Sequence, residues 1–426
     1  MKKINAIAAS LAALLMAGCS QNEVTEISPD AHPAVGFGVY TGAATRGVDM
    51  TTESMKDSPS DASKYGGFGI MGYFTGQDNF EDVKTTVTPS FMHNQMVEYD
   101  KTNSVWKYDP IKYWPNRDGD KISFFAYAPY ETNWQTGTKS GVIVSAATEK
   151  GIPYINFSLK KENELTKMVD LVVADARDQQ YTAANAGKVS FDFKHTLSRI
   201  SFKAQLGDGD FGGMDGTNSF VYITHMWIVG TNHGTTAASG NLSLIDTGAA
   251  SNPNSKFYTS AKWSQLHWNY GTGISTVPEK DFSLDDILAL ESTGITESNA
   301  TTGHEGVIKG IRVTNASKTT PVDLFPPNQY LYLIPIADNN VNVDTNAGCG
   351  ENDIWIGFHY DIVTKDNTKP TQFIASHAES VIKLPKTHMK RNKSYLYTLK
   401  INLHEIKIDK AEVESWSDIK EEVTIE

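Results

Sequence analysis

The chain has 426 residues and a net charge of −12, with 18 tyrosines, 18 phenylalanines and 8 tryptophans. That charge argues against a nucleic-acid partner and against a polybasic membrane surface, both of which rest on clustered positive charge. The length suggests two or three domains and is enough to bury cores without disulfide staples. The aromatic residues, with plentiful Thr, Ser, Gly and Asn, favour strands and turns over helices.

Residues 1–18 read as a signal peptide. Lys2 and Lys3 form its positive start, and the apolar run Ile4–Gly18 is too short for a permanent membrane span. It ends Leu15-Met16-Ala17-Gly18-Cys19, small residues directly before a cysteine. This matches a bacterial lipoprotein signal, in which Cys19 is lipidated and becomes the new N-terminus. Ser20 rather than aspartate comes next, so the expected destination is the outer membrane. The alternative is an ordinary secretory signal with a chance cysteine. Once Cys19 is lipidated Cys349 has no partner for an internal disulfide.

Residues 19–46 are read as a tether followed by one strand. In Ala34–Tyr40, Val35, Phe37 and Val39 share a face, and Ala34, Gly36 and Gly38 leave the other nearly bare. Arg46-Gly47 comes after it, then a polar run from Asp49 to Lys64, expected to form a mobile loop because it holds too little apolar surface to order itself. An arginine in such a segment is a natural target for a trypsin-like protease; the bland alternative is a solvated arginine.

From Gly66 onward short strands succeed one another: Phe68–Thr75, Val105–Tyr108, Ile122–Tyr130, Gly141–Ser145, Ile155–Leu159 and Leu171–Ala174. Turn-rich spacers at this interval predict an antiparallel sandwich over residues 47–187. The nearly all-apolar stretches around Tyr113-Trp114-Pro115 and Phe124–Pro129 read as strands buried on both faces rather than as a sugar-stacking platform.

Residues 189–206 organise the second half of the chain. Val189, Phe191 and Phe193 alternate with polar residues, and the apolar phase then flips to Ile200, Phe202, Ala204 and Leu206. A bulge or kink near His195–Ser198 accounts for the flip, because one extra residue turns every later side chain to the opposite face. The stretch is read as opening a second sandwich, residues 188–426. That unit includes strands at Ser219–Val229, Leu242–Ile245, Tyr330–Ile336, Ile354–Val363, Phe373–Leu384 and Tyr395–Leu403, and a helix start at Ser283–Leu288. The chain closes on Ile419–Glu426, where Ile419, Val423 and Ile425 fall on one face.

No catalytic constellation emerges. The chain has no CxxC, HExxH, GxSxG, phosphate-binding loop, dinucleotide fingerprint or calcium loop, so no metal, cofactor or enzymatic activity is expected. His195, His225 and His404 sit within strands and read as structural. Trp263, Trp268 and Tyr270 form an aromatic cluster able to stack on a sugar or a partner protein, though aromatics that anchor loops are as common.

Taken in order, the lipoprotein signal, the alternating strand, Thr45-Arg46, Tyr113-Trp114-Pro115, Phe124–Pro129, Asp170–Ala174, Phe193–Ser198, Tyr395-Leu396-Tyr397 and Trp416 resemble the fimbrillin family of type V pilins, subunits of Bacteroides-type fimbriae. The resemblance implies an all-β chain of two tandem, transthyretin-like β-sandwich domains. It also implies lipidation at Cys19 and cleavage after Arg46 by an arginine-specific protease. The Val35/Phe37/Val39 strand then leaves, and the subunit assembles with other pilin subunits at the cell surface by strand exchange. Ile419–Glu426 is the candidate donor strand. The rival reading is a surface glycan-binding outer-membrane lipoprotein with Trp263, Trp268 and Tyr270 as its platform.

Overall fold

The structure is a computed structural model and describes residues 33–41, 49–158, 168–207, 219–230, 239–243, 258–262, 266–269, 273–275, 311–313, 319–325, 330–333, 354–365, 373–383, 392–402, 405–415 and 420–423. In chain order its first elements are β1 (Gly36–Thr41), α1 (Thr52–Met55), β2 (Phe68–Gly76), α2 (Phe80–Val83), β3 (Met92–Asp100), β4 (Val105–Lys107), β5 (Lys121–Ala128), β6 (Val142–Val144), β7 (Tyr154–Ser158), β8 (Val172–Gln179), β9 (Lys188–His195) and β10 (Ser198–Leu206). Next come β11 (Ser219–Gly230), β12 (Ser239–Ser243), β13 (Tyr258–Lys262), β14 (Leu266–Asn269), β15 (Gly273–Ser275), β16 (Ile311–Val313), β17 (Val322–Asp323), β18 (Leu331–Leu333), β19 (Ile354–Lys365), β20 (Phe373–Lys383), β21 (Lys393–Asn402), β22 (Glu405–Ser415) and β23 (Lys420–Val423). The protein is all-β, as its strand-rich composition dictates. Among the described residues no helix is long and apolar enough to cross a membrane.

A seven-stranded sheet runs β1-β9-β8-β5-β2-β3-β4. Its end strands β1 and β4 approach each other, so the sheet curls around its own core. Both faces are covered. Phe124, Ala126 and Ala128 of β5 point into one cluster with Phe68, Ile70, Phe191 and Phe193. Phe125 and Tyr127 point into the other. Burial of both faces is why β5 reads as an unbroken apolar run.

Later described strands form a six-stranded sheet along β17-β10-β21-β22-β23 with β18 on β10, and a second along β15-β14-β11-β19-β20 with β16 on β11. A four-stranded sheet runs β13-β12-β7-β6. Among the described strands two pairings depart from the antiparallel rule: β1 with β9, and β10 with β21. Each joins strands far apart in sequence, as a parallel pair requires.

The phase flip at residues 195–198 is a change of sheet. Val189, Phe191 and Phe193 on β9 fill the first core; Ile200, Phe202, Ala204 and Leu206 on β10 fill the second. Between them the Thr196 amide donates to the Leu171 carbonyl at 2.9 Å and the Asn392 amide to the Leu197 carbonyl at 3.1 Å, fixing the crossover. Two sets of pairings cross the 187/188 division expected from sequence: β9 belongs to the first sheet beside β8 and β1, and β7 pairs with β12.

Two local expectations are overturned. The stretch around Tyr113, read as strand buried on both faces, forms only an isolated bridge to Ala34, and Tyr113 is 55% exposed because it faces away from Gly187, which Trp114 meets. The polar run after Asp49 is not an unstructured loop throughout: Asp49, Met50 and Met55 are buried, and α1 starts with a capping box between Thr51 and Ser54. Two methionines supply the burial, and a capped turn satisfies the backbone donors at the helix start.

Candidate functional site

The first strand sits at the end of the first sheet and is held from two sides. Along one side β1 pairs in parallel with β9, from Gly36 opposite Lys188 to Thr41 opposite Phe193. On the other, the Val35 amide donates to the Lys112 carbonyl at 2.9 Å and the Trp114 amide to the Pro33 carbonyl at 3.1 Å. Ala34 bridges Tyr113 between these bonds. The segment 33–41 therefore lies in a slot between β9 and residues 112–114.

Trp114, from the aromatic stretch noted in the sequence, shapes the slot together with Gly187 and Tyr108, which sequence reasoning did not single out. Trp114 Nε1 donates to the Gly187 carbonyl at 2.9 Å, and the Gly36 amide donates to the same oxygen at 2.9 Å. Gly187 has φ +77°, and a Cβ there would stand 3.0 Å from the Ala34 carbonyl oxygen and 3.2 Å from Trp114 Nε1. Glycine meets both demands, a left-handed backbone and a close approach. The Tyr108 hydroxyl lies 2.9 Å from the Val35 carbonyl and 3.2 Å from that of Lys112. Burial pushes the Tyr108 phenol above its ordinary range, against the opposing pull of the Lys112 backbone bond. It therefore stays a donor at neutral pH.

The inward face of the strand fills this slot. Val35 and Phe37 are buried, and Val39 packs partly buried on the same cluster. The Phe37 ring meets Tyr108 at 5.3 Å, Phe124 edge-on at 5.7 Å and Phe191 in a stack at 5.8 Å between centroids. The outward face carries Gly36, Gly38 and Tyr40, the last 62% exposed. One apolar row, main-chain bonds and side-chain bonds from Tyr108 and Thr52 hold the strand.

Beyond β1 lies a second group of residues. Arg199 on β10 pairs with Asp49 through Nη1 and donates from Nε to Ser394 Oγ at 3.0 Å. Tyr332 donates to the other Asp49 oxygen at 2.6 Å, and the guanidinium lies 4.2 Å from the centre of the Tyr330 ring. The Met50 amide donates to Asp170 Oδ2 at 2.8 Å, an oxygen that also bonds His195 Nδ1 at 2.7 Å. His195 is thus a buried structural histidine.

Of the residues expected to act, Val35, Phe37 and Val39 stand together in the slot. Trp268 lies on β14, in register with Met226 and Ile274, and Val423 lies on β23 opposite Ala411 of β22. Cys19, Arg46, Gly47, Trp263, Tyr270, Ile419 and Ile425 lie outside the described residues. Among the described residues no group of three or more His, Cys, Asp or Glu side chains is placed to hold a metal.

A family model described as fimbrillin-like matches residues 67–416. The chain belongs to the fimbrillin-like family. It is 31% identical over 412 residues to the fimbrium subunit Fim1C of Phocaeicola vulgatus, a match that covers 96% of this chain and 95% of that one. A solved fimbrial protein from Bacteroides vulgatus has the same fold, with a TM-score of 0.64 at 24% identity, covering 90% of this chain and 99% of the other. The strand slot and the buried Asp49–Arg199 pair are thus features of a fimbrillin-like chain.

Proposed function

We propose that this protein is a structural or tip subunit of a cell-surface fimbria, built from two sandwich units that meet at the 195–198 crossover, after β9 has completed the first sheet. It is exported as a lipoprotein acylated at Cys19 and cleaved after Arg46 by an arginine-specific protease, so that Gly47 becomes the N-terminus. Loss of the first strand leaves a slot that a strand from another subunit refills; Ile419–Glu426 is the candidate donor. The carrying observation is the seating of β1, an end strand with one buried face whose sequence lies just ahead of Arg46. Emptying the slot exposes two buried side chains and one half-buried one, which at about 1.5–3 kcal/mol for each full burial makes about 4–7 kcal/mol available to an incoming strand. Main-chain pairing to the freed β9 edge adds direction and register.

The deciding experiment is the N-terminal residue of the protein recovered from cells. Gly47 supports an assembling subunit. Lipidated Cys19 on the surface-exposed, unpolymerised protein is the result expected of an anchor subunit or a surface glycan binder, and it counts against release of the strand.

A further inference from the structure

The described residues flanking Arg46 are held in different ways. On the leaving side, Thr41 ends β1 and meets Thr52: the Thr41 amide donates to Thr52 Oγ1 at 3.0 Å, the Thr52 amide to Thr41 Oγ1 at 2.7 Å, and the hydroxyls lie 3.0 Å apart. These bonds are neutral and only part-buried, so water can replace them at little loss. On the staying side, Asp49 and Arg199 are 2% and 3% exposed. A buried ion pair is hard to open because separating it strands a charge away from water. Its supporting partners, Tyr332 and Ser394, come from β18 and β21 of the second half of the chain rather than from the sheet that β1 leaves.

We propose that the Asp49–Arg199 pair is the anchor at which strand release stops. β1 departs as far as Thr41, while Asp49, Met50 and α1 remain docked. Met50 and Met55 then stay in the first core, and the vacated slot has a fixed end at Thr52. Arg199 acts as a positioning residue, holding the newly cut chain against β10 so that the slot empties while α1 and β2 stay folded. The inference rests on the reading that the first strand departs.

Hydrogen–deuterium exchange on the full, uncut chain tests the anchor without requiring any cut. In Asp49→Asn the amides of Met50 and Met55 exchange about tenfold faster, while those of β1 change by less than about threefold. Thr52→Val does the reverse, speeding β1 and leaving Met50 protected. Tyr332→Phe, which removes one bond to Asp49 and keeps the ion pair, gives a smaller rise at Met50 and carries the test where Asp49→Asn does not fold. Unchanged protection of Met50 in both Asp49→Asn and Tyr332→Phe overturns the anchor. Equal acceleration of β1 and Met50 overturns it too, since residues 33–55 then open as one unit. A protein that passes this test but keeps its N-terminus ahead of Arg46 in cells retains the anchor and loses only the processing reading.

Discussion

The ring of Phe37 is stacked on that of Phe191, with 5.8 Å between centroids and 19° between planes. This one contact joins the first strand to the neighbour with which it pairs in parallel, and Tyr108 and Phe124 close the pocket on other sides. Phe37 is therefore the largest apolar contribution to holding β1 in place.

Phe37→Ala removes that ring and leaves a cavity under an end strand. The expected loss is about 3–5 kcal/mol of stability, the usual range for an aromatic deleted from a core. Denaturant unfolding of the full chain checks it, with amide exchange in β1 rising before that of β5. A variant whose midpoint matches wild type shows that the strand is not held by this pocket.

Gly187→Ala tests the entry to the slot. The substitution places a Cβ where the backbone is left-handed and 3.0 Å from the Ala34 carbonyl oxygen. It should destabilise by about 1–3 kcal/mol, the scale of a strained backbone conformation. Removing the strand relieves the contact with Ala34 but not the left-handed backbone or the contact with Trp114, so the same substitution should cost less in the processed chain while still costing something. Thermal melts of full and processed chains make the comparison.

Much of this architecture is legible in the sequence, and the exceptions have physical causes. The alternation of Val189, Phe191 and Phe193 and its flip at Ile200 mark the change of sheet because the period of a strand ties each side chain to a face. Val35, Phe37 and Val39 are legible for the same reason. β3 is not, because Met92–Asp100 mixes buried Met92, Asn94 and Val97 with polar neighbours and lacks a clean period. Nor can adjacent aromatics be ranked: Trp114 is 2% exposed and Tyr113 55%, a difference set by which one meets Gly187. The Asp49–Arg199 pair is hidden altogether, since its members stand 150 residues apart and an isolated aspartate in a polar run looks solvated.

Buried tyrosines set an alkaline limit on stability. Burial, reinforced by the nearby Asp49 and Asp170 charges, raises the Tyr332 phenol well above its ordinary value, and burial does the same to Tyr127 and Tyr397. The native state keeps protons that the unfolded chain gives up, so stability falls as pH rises. This contribution is fully present below about pH 10, the value of an unfolded tyrosine, and is lost as pH climbs toward the raised native values. Urea midpoints should hold from about pH 8 to near pH 10 and fall above it, and Tyr332→Phe should make the decline shallower. An unchanged slope in that variant removes Tyr332 from the account.

The donor strand gives the last prediction. The slot accepts an extended segment whose alternate side chains match Val35, Phe37 and Val39, and whose remaining positions face outward beside Lys188 and Ser190. Among the described residues β23 pairs by its backbone only with β22, at the edge of its sheet, so it can leave that edge for a neighbouring subunit by giving up one pairing. Val423→Asp with Ile425→Asp places carboxylates on the face that must enter the apolar slot. An unpaired charge there costs several kcal/mol, about the whole gain from refilling it. The double variant should fold and be processed like wild type, because an edge strand contributes little to its own sheet, and it should fail to form polymers seen by electron microscopy. Mixed with wild type it should join only at the end of a fibre that needs an acceptor and no donor. Normal polymers from the double variant assign the donor elsewhere and leave β23 as a strand of its own subunit.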